Sequence, residues 1–395
     1  MVELYSRRSF VAGALTAGTL STAAGYLFTR REPVKLVLTT GADATGARQL
    51  LINMWNRLHP DITIEVVEVN SSTQDQYAKF VETRADIYNL DVIHIPRFAE
   101  AGRITPLVPR NDATLLDPVQ RVCAVENSPD EYWAIPFNTD VGMLFRRITD
   151  KRATDLAPSM DEVLAQGSLT AQLRTDGIAT DEAFVVNVLE QALAQDEAIL
   201  DAGGTVSFNL GQWKTALAPL ADALRRRRVL PESSEETTIR TYNVRDARYM
   251  RNWPVWFPQV DRAERGSKAG TMEIRLGGLP VGILGGQSLA VASDSAHRDE
   301  AEQVIQFLTD EPAQKLLASF GFAPPGLDAY IDAGVQAVAP HVTTIRTAVE
   351  ASRPRPMHPG YADFARAFKD HTFAYLYRDE ELTQRFVDDL REALR

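Results

Sequence analysis

The chain has 395 residues, 45% of them hydrophobic and 24% charged, with a formal net charge of −11 and one cysteine. That length and hydrophobic content belong to a globular protein with two cores rather than one. The acidic balance argues against a nucleic-acid partner, which needs clustered cations, and a single cysteine excludes an internal disulfide.

The first element is an export signal. Ser6-Arg7-Arg8-Ser9-Phe10-Val11 leads into an uncharged run from Phe10 to Phe28. A basic start followed by a weakly hydrophobic stretch with small residues near its end is the pattern of a signal, and Arg7-Arg8 marks the twin-arginine (Tat) type. Residues 1–32 are therefore set apart as a Tat signal peptide or N-terminal anchor. Both readings stay open. Thr22-Ala23-Ala24 offers a cleavage site, while the 19 residues closed by Arg30-Arg31 approach the roughly 20 needed to span a bilayer. No cysteine stands directly after the run, which excludes a lipoprotein attachment there.

Residues 34–38 read as a strand. Leu50, Leu51, Met54, Trp55 and Leu58 recur at helical spacing, and His59-Pro60 ends that helix. A strand over 62–69, a helix over 74–85 and a strand over 91–95 follow. This β-α-β order predicts a parallel sheet with crossover helices, whose ligands bind at the carboxyl ends of the strands. Those ends are 41–43, 70–72 and 96–97. Residues 122–125, which include Cys123, read as a buried strand with an inert thiol. Residues 133–140 lead into an extended segment over 141–145. Helices are predicted over 183–193 and 210–224, the latter closed by Arg225–Arg228, where cations complement the helix dipole. Aromatics gather over 249–257. Gly277-Gly278-Leu279-Pro280 and Gly285-Gly286-Gln287-Ser288 read as turns beside short strands. One late helix carries Ala301, Val304, Ile305 and Leu308. The next opens at Pro312, and the last bears Leu382, Phe386, Leu390 and Leu394 on one face.

Four ordered segments carry a family resemblance. They are the opening strand and helix with Leu58-His59-Pro60-Asp61-Ile62; Leu90-Asp91-Val92-Ile93 with Phe98–Leu107; Tyr132-Trp133-Ala134-Ile135-Pro136-Phe137 with Gly142-Met143-Leu144-Phe145; and Leu279-Pro280 through Gly285-Gly286, Leu289-Ala290-Val291 and Glu300–Leu308. Asn252-Trp253, Arg353-Pro354-Arg355-Pro356 and Tyr361 add to them. Together the segments resemble the extracellular solute-binding proteins of ABC importers, in the sugar-binding cluster typified by maltose- and trehalose-binding proteins. The resemblance implies an α/β, two-lobed periplasmic-binding-protein fold of type II, with a hinged interlobe cleft. Lobe 1 would hold 34–138 and 289–338, and lobe 2 would hold 139–288 and 339–395. It further implies a monomer at the extracellular face or in the periplasm that traps a mono- or oligosaccharide by hinge closure. The solute would pass to an ABC permease, and the Tat translocase would be the export partner. Two departures from the family pattern stand out: His94-Ile95-Pro96-Arg97-Phe98 replaces an acidic residue and a tryptophan, and Gln287-Ser288 replaces an aromatic.

A sugar site needs flat apolar faces and polar groups for hydroxyls. Trp253 and Trp256 are the leading aromatics, then Trp133 and Tyr132. Asp43, Asn70, Ser71, Asn138, Thr139 and Asp140 stand at segment ends, where turn and capping duty is the competing reading. Gly285 and Gly286 permit close backbone approach or simply a turn, with Gln287 beside them. Arg355 matches a late interlobe position or sits on the surface. Arg97 and Arg355 favour an alternative cargo, a phosphorylated polyol, and Tyr375 and Tyr377 hint at a metal ion. An uncleaved anchor would instead make the chain a membrane-anchored solute sensor. No catalytic residue, resident metal or cofactor is expected. The six histidines lack metal-ligand spacing, no nucleophile elbow or phosphate loop is present, and Asp181-Glu182 and Glu235-Glu236 read as solvated loop carboxylates. An extracellular hydrolase would need two carboxylates facing across a cleft.

Overall fold

The computed structural model describes residues 33–395, apart from 44, 70–72, 110–113, 149–157, 176–181, 245–246 and 266–272. Arg7, Arg8, Asn70 and Ser71 lie outside the described residues.

The first sheet starts as the sequence pattern dictates. Strands β1 (Val34–Thr40) and β2 (Ile62–Glu68) run parallel in full register, and β1 also pairs in parallel with β3 (Ile87–Asp91). Leu36 and Leu38 alternate into the core at 0% exposure. The crossover helix Ala47–Leu58 buries Leu51, Ile52 and Trp55 against the sheet. Among the described residues, β4 (Ile104–Thr105), β7 (Ile135–Val141), β13 (Ile283–Ala292) and β14 (Arg353–Pro354) complete it. Strand β13 is the hub, antiparallel to β3, β4 and β7 and parallel to β14. A separate ribbon joins β5 (Ala124–Val125) to β6 (Ser128–Tyr132).

The second sheet contains β8 (Met143–Ile148), β9 (Leu169–Gln172), β10 (Val229–Glu232), β11 (Tyr249–Asn252) and β12 (Glu273–Gly278), in the order β10-β9-β11-β8-β12. Helices Glu182–Leu193 and Leu210–Arg225 pack on this sheet, and Tyr361–Tyr377 and Gln384–Ala393 pack on those helices. Trp213 is fully buried there, with the rings of Phe368 and Phe386 meeting it edge-on at 5.5 Å. Each such phenylalanine contributes roughly 1.5–3 kcal/mol by burial alone.

Among the described residues, the chain passes between the sheets at Gly142, through 279–282 and again after β14. Strand β7 runs past residue 138 to Val141, and β13 begins at Ile283, ahead of 289, so both changeovers fall at these links. Glycine is required at two of them. A Cβ on Gly142 would stand 2.0 Å from Glu190 Oε1, and one on Gly282 would stand 2.5 Å from Val141 Cγ2.

Three local expectations are corrected. The strand expected over 91–95 is β3, which ends at Asp91. The Asp91 carboxylate caps a 3-10 turn over Val92–His94, and Pro96 then falls in the first turn of helix Ile95–Glu100, where its missing N–H costs nothing. Residues 122–125 are not one strand, because helix Asp117–Cys123 ends there and β5 follows. Gly285–Ser288 is not a turn between strands; it lies inside β13, with a register shift between Gln287 and Ser288. No helix among the described residues is long and apolar enough to cross a membrane.

Candidate functional site

The polar side chains on the first-sheet side are carried by three adjacent strands. In β7 and β13, Asn138 faces Gln287, Thr139 faces Gly286 and Asp140 faces Gly285. Gly286 has φ 122°, and a Cβ on it would lie 2.4 Å from the Asn138 carbonyl oxygen, so this position requires glycine. Gln287 Oε1 accepts from Asn89 Nδ2 at 2.9 Å, and that amide also donates to Thr40 Oγ1 at 3.0 Å. Thr139 is consumed internally, its hydroxyl donating to Gly285 O and its N–H to Ala323 O. Alternation along β7 puts Asn138 and Asp140 on one face. Asn138 is buried with no partner for its Oδ1.

The second-sheet side is built around Arg251 at the end of β11. Arg251 and Glu190 are each 1% exposed and form a bidentate pair at 2.6 and 2.7 Å. The guanidinium lies 3.9 Å from the centroid of the Trp253 ring, a cation–π contact that fixes that ring. Glu190 also accepts from Ile283 N at 3.2 Å, which ties it to the start of β13. Buried Asn252 accepts from Trp253 N at 2.9 Å and donates to Glu235 O at 3.2 Å. Glu235 opens helix Glu235–Val244 and accepts from Trp256 Nε1.

The two sides meet. Burial pushes the Asp140 carboxyl well above its ordinary range, and the charge of Glu235 adds to this; the Val141 N–H and Arg251 pull it back only in part, and Asp91 raises it again. Glu235 is also raised, by burial first, with the Trp256 hydrogen bond opposing. Both carboxylates remain partly exposed. Groups enclosed by protein yet reached by water lie on the wall of a cleft. Arg355 spans the same region. It is 3% exposed, donates to Asp91 Oδ1 at 2.9 Å and to Glu182 Oε1 at 2.7 Å, and thereby links β3 to the start of helix Glu182–Leu193. Burial works against its charge, and Asp91 and Glu182 outweigh that burial and raise its pKa. Tyr361 donates to the same Glu182 oxygen.

The structure thus brings together Asn138, Thr139, Asp140, Gly285, Gly286, Gln287 and Arg355, with Trp253 and Trp256 across from them. Asp43 and Arg97 serve locally. Asp43 accepts from Thr45 N, Thr45 Oγ1 and Arg48 N at 2.7–3.0 Å. Burial pushes its carboxyl up, but the Thr45 hydrogen bonds and Arg48 outweigh this and lower it. Arg97 lies on the Tyr77 ring, 3.6 Å from its centroid. Tyr132 is buried in the first-sheet core with Trp133 packed against it. Tyr377 donates to Leu173 O, and the described residues contain no group of three potential metal ligands. Cys123 is buried beside Ser288, and burial pushes its thiol up to about 12, as an inert thiol requires.

Glu182 and Glu235 correct the reading of both as solvated carboxylates: one holds Arg355 and Tyr361, the other Trp256. Arg355 is interlobe and buried, not on the surface. Asp91 entered the sequence reading only as part of a strand and a family segment, and Glu190 and Arg251 were not singled out as site residues. The local signal for Glu235 was Ser234, whose backbone carbonyl and side chain organise the start of that helix with Thr237 and Thr238; nothing local marks Glu190.

No protein-family model matches the chain. Its fold is shared with solved two-lobed binding proteins. Maltose-bound MalE3 of T. maritima aligns over 91% of this chain and 99% of its own, at TM-score 0.76 and 21% identity. The GacH receptor of Streptomyces glaucescens, solved unliganded and with acarbose, aligns over 92% and 99%, at TM-score 0.74 and 16% identity. An ABC transporter solute-binding protein of Thermotoga lettingae bound to α-D-tagatose aligns over 91% and 98%, at TM-score 0.72 and 16% identity. The chain therefore has the two-lobed, hinged-cleft α/β fold of these proteins.

Proposed function

We propose that the protein is an extracytoplasmic solute-binding protein that captures a carbohydrate between its lobes and delivers it to an ABC permease. The carrying observation is the meeting of Trp253 and Trp256 from one side with Asn138 and Asp140 from the other, where the chain crosses between sheets. Indole faces stack on pyranose rings while carboxylates and amides accept from hydroxyls. The neighbours' cargoes, maltose, acarbose and tagatose, support the class. No reaction is assigned: the cleft carboxylates are absorbed by binding roles, and the neighbours are binding proteins. Arg97 and Arg355, the cations that favoured a phosphorylated polyol, are each engaged, one on Tyr77 and the other by two carboxylates. A neutral or cationic cargo fits better.

Export through Tat rests on Arg7-Arg8, and the uncharged run Phe10–Phe28 favours a second reading, an anchored sensor with the same cleft. N-terminal sequencing of the exported protein separates them: a start near Gly25 removes the anchor. Calorimetry with mono- and oligosaccharides tests the main proposal. Saturable binding of at least one sugar is expected, with a raised melting midpoint, and its absence across neutral, amino and acidic sugars overturns the carbohydrate reading.

A further inference from the structure

Trp256 carries one polar side-chain atom, its indole Nε1, and that donor is already engaged: it points to the Glu235 carboxylate, 21 residues earlier in the chain. Glu235 opens helix Glu235–Val244 and Trp256 closes the 3-10 turn Pro254–Trp256, so the bond joins two elements. The helix start does not depend on that carboxylate. Ser234 N donates to Thr237 Oγ1 at 3.1 Å and Thr237 N donates to Ser234 Oγ at 3.2 Å, which caps it. Glu235 also holds the other end of the aromatic segment. Its backbone carbonyl accepts from Asn252 Nδ2 at 3.2 Å, and Asn252 Oδ1 accepts from Trp253 N at 2.9 Å. Trp253 O then accepts from Trp256 N at 3.2 Å. The Trp253 ring is fixed separately, by the Arg251 guanidinium 3.9 Å from its centroid.

We infer that Glu235 is a positioning residue of the proposed carbohydrate site, holding the plane of the Trp256 ring by its Nε1 edge. A tryptophan side chain turns about two torsions, and a bond at Nε1 removes that freedom. The ring is then set before a sugar arrives, and it offers a stacking face without a hydrogen-bond donor. A ring left free has to be ordered on binding, which costs roughly 2- to 12-fold in affinity for one side chain. Burial works against the Glu235 charge, but an ionised acceptor holds an N–H about twice as strongly as a neutral one.

This inference rests on the carbohydrate reading, and the test separates the two. Calorimetry with glucose, maltose, maltotriose and trehalose is run on the unaltered protein, Glu235→Leu, Glu235→Gln and Trp256→Phe. The indole N–H signals of the chain's five tryptophans are followed by nuclear magnetic resonance without sugar, and the signal lost in Trp256→Phe is that of Trp256. Glu235→Leu is expected to shift that signal, to speed its exchange with water, and to weaken sugar binding roughly 2- to 12-fold. Glu235→Gln keeps an acceptor and is expected to recover most of that loss. In a Trp256→Phe background, Glu235→Leu is expected to cost no further affinity, because the donor it serves is gone. Unchanged binding in Glu235→Leu, binding by Glu235→Gln as weak as by Glu235→Leu, or an undiminished loss in the Trp256→Phe background overturns the inference and leaves the carbohydrate reading standing. Should Glu235→Leu fold poorly, the unaltered protein decides: a Trp256 N–H that exchanges as fast as a free indole overturns the inference, and a protected one upholds it. Binding of no saccharide of any class by the unaltered protein overturns both.

Discussion

Single residues in the cleft carry charges that the fold only partly compensates, and this makes stability depend on pH in a definite direction. Asp140 faces Glu235, Arg251 and Asp91, and its pKa lies well above the ordinary 3.8. The folded chain then holds the Asp140 proton more tightly than the unfolded chain does. This term is neutral below pH about 4, and stability falls as pH rises through the elevated value. Asp140→Asn is therefore expected to be more stable than the parent at pH 7, by on the order of 1 kcal/mol, and thermal melts should show the gap closing toward pH 4. The Glu190–Arg251 pair behaves differently. Arg251→Met strands a buried carboxylate and is expected to cost about 3–5 kcal/mol in urea unfolding, while Arg251→Met with Glu190→Leu recovers much of the loss. Trp253 and Trp256 were legible in the sequence because aromatics cluster around them. Glu235 was not, because its partner Trp256 lies in a different element and only the fold removes both from water. Glu182 shows the same effect over a longer span, since Arg355 is 173 residues away.

Secondary-structure elements were legible where one period dominates. The alternation of β1 and the 3–4 spacing of Ala47–Leu58 follow directly from which side chains face the core. The segment 91–95 was not, because an apolar run without a period fits a strand, a turn or a short helix equally well, and the Asp91 cap decides among them. Gly285–Ser288 deceived for a related reason: two adjacent glycines signal a turn locally, whereas here they continue β13 in register with Asp140 and Thr139 of β7. The two glycines differ in what they tolerate. A Cβ on Gly285 would meet atoms no nearer than 3.5 Å, whereas Gly286 combines φ 122° with a backbone oxygen 2.4 Å from its would-be Cβ. Gly286→Ala is expected to cost at least about 1–3 kcal/mol from backbone strain and, on the proposed function, to weaken carbohydrate binding by displacing Asn138 and Asp140. Gly285→Ala should leave urea midpoints within about 0.5 kcal/mol of the parent.

For the whole molecule, Arg355 is the clearest clamp between the halves. It holds Asp91 at the end of β3 and Glu182 at the start of a helix packed on the other sheet. Lysine keeps the charge and lacks the planar fork that reaches two carboxylates at once. Arg355→Lys is therefore expected to loosen the lobes, with a larger radius of gyration by small-angle scattering and, on the proposed function, weaker carbohydrate binding. The two-lobed organisation was legible because the order of segments carries it. The position of the links was not, because Gly142 and Gly282 owe their small size to atoms brought in from distant parts of the chain.

The central place of β13 also sets a clock. Strands β3 and β7 find their main partner only when residues 283–292 exist, roughly 140 residues after β7 has been made. At usual rates of synthesis that wait lasts on the order of 10 s, during which the first half of the molecule has an unsatisfied strand edge. Until β13 is made, that edge is open to pairing with another chain.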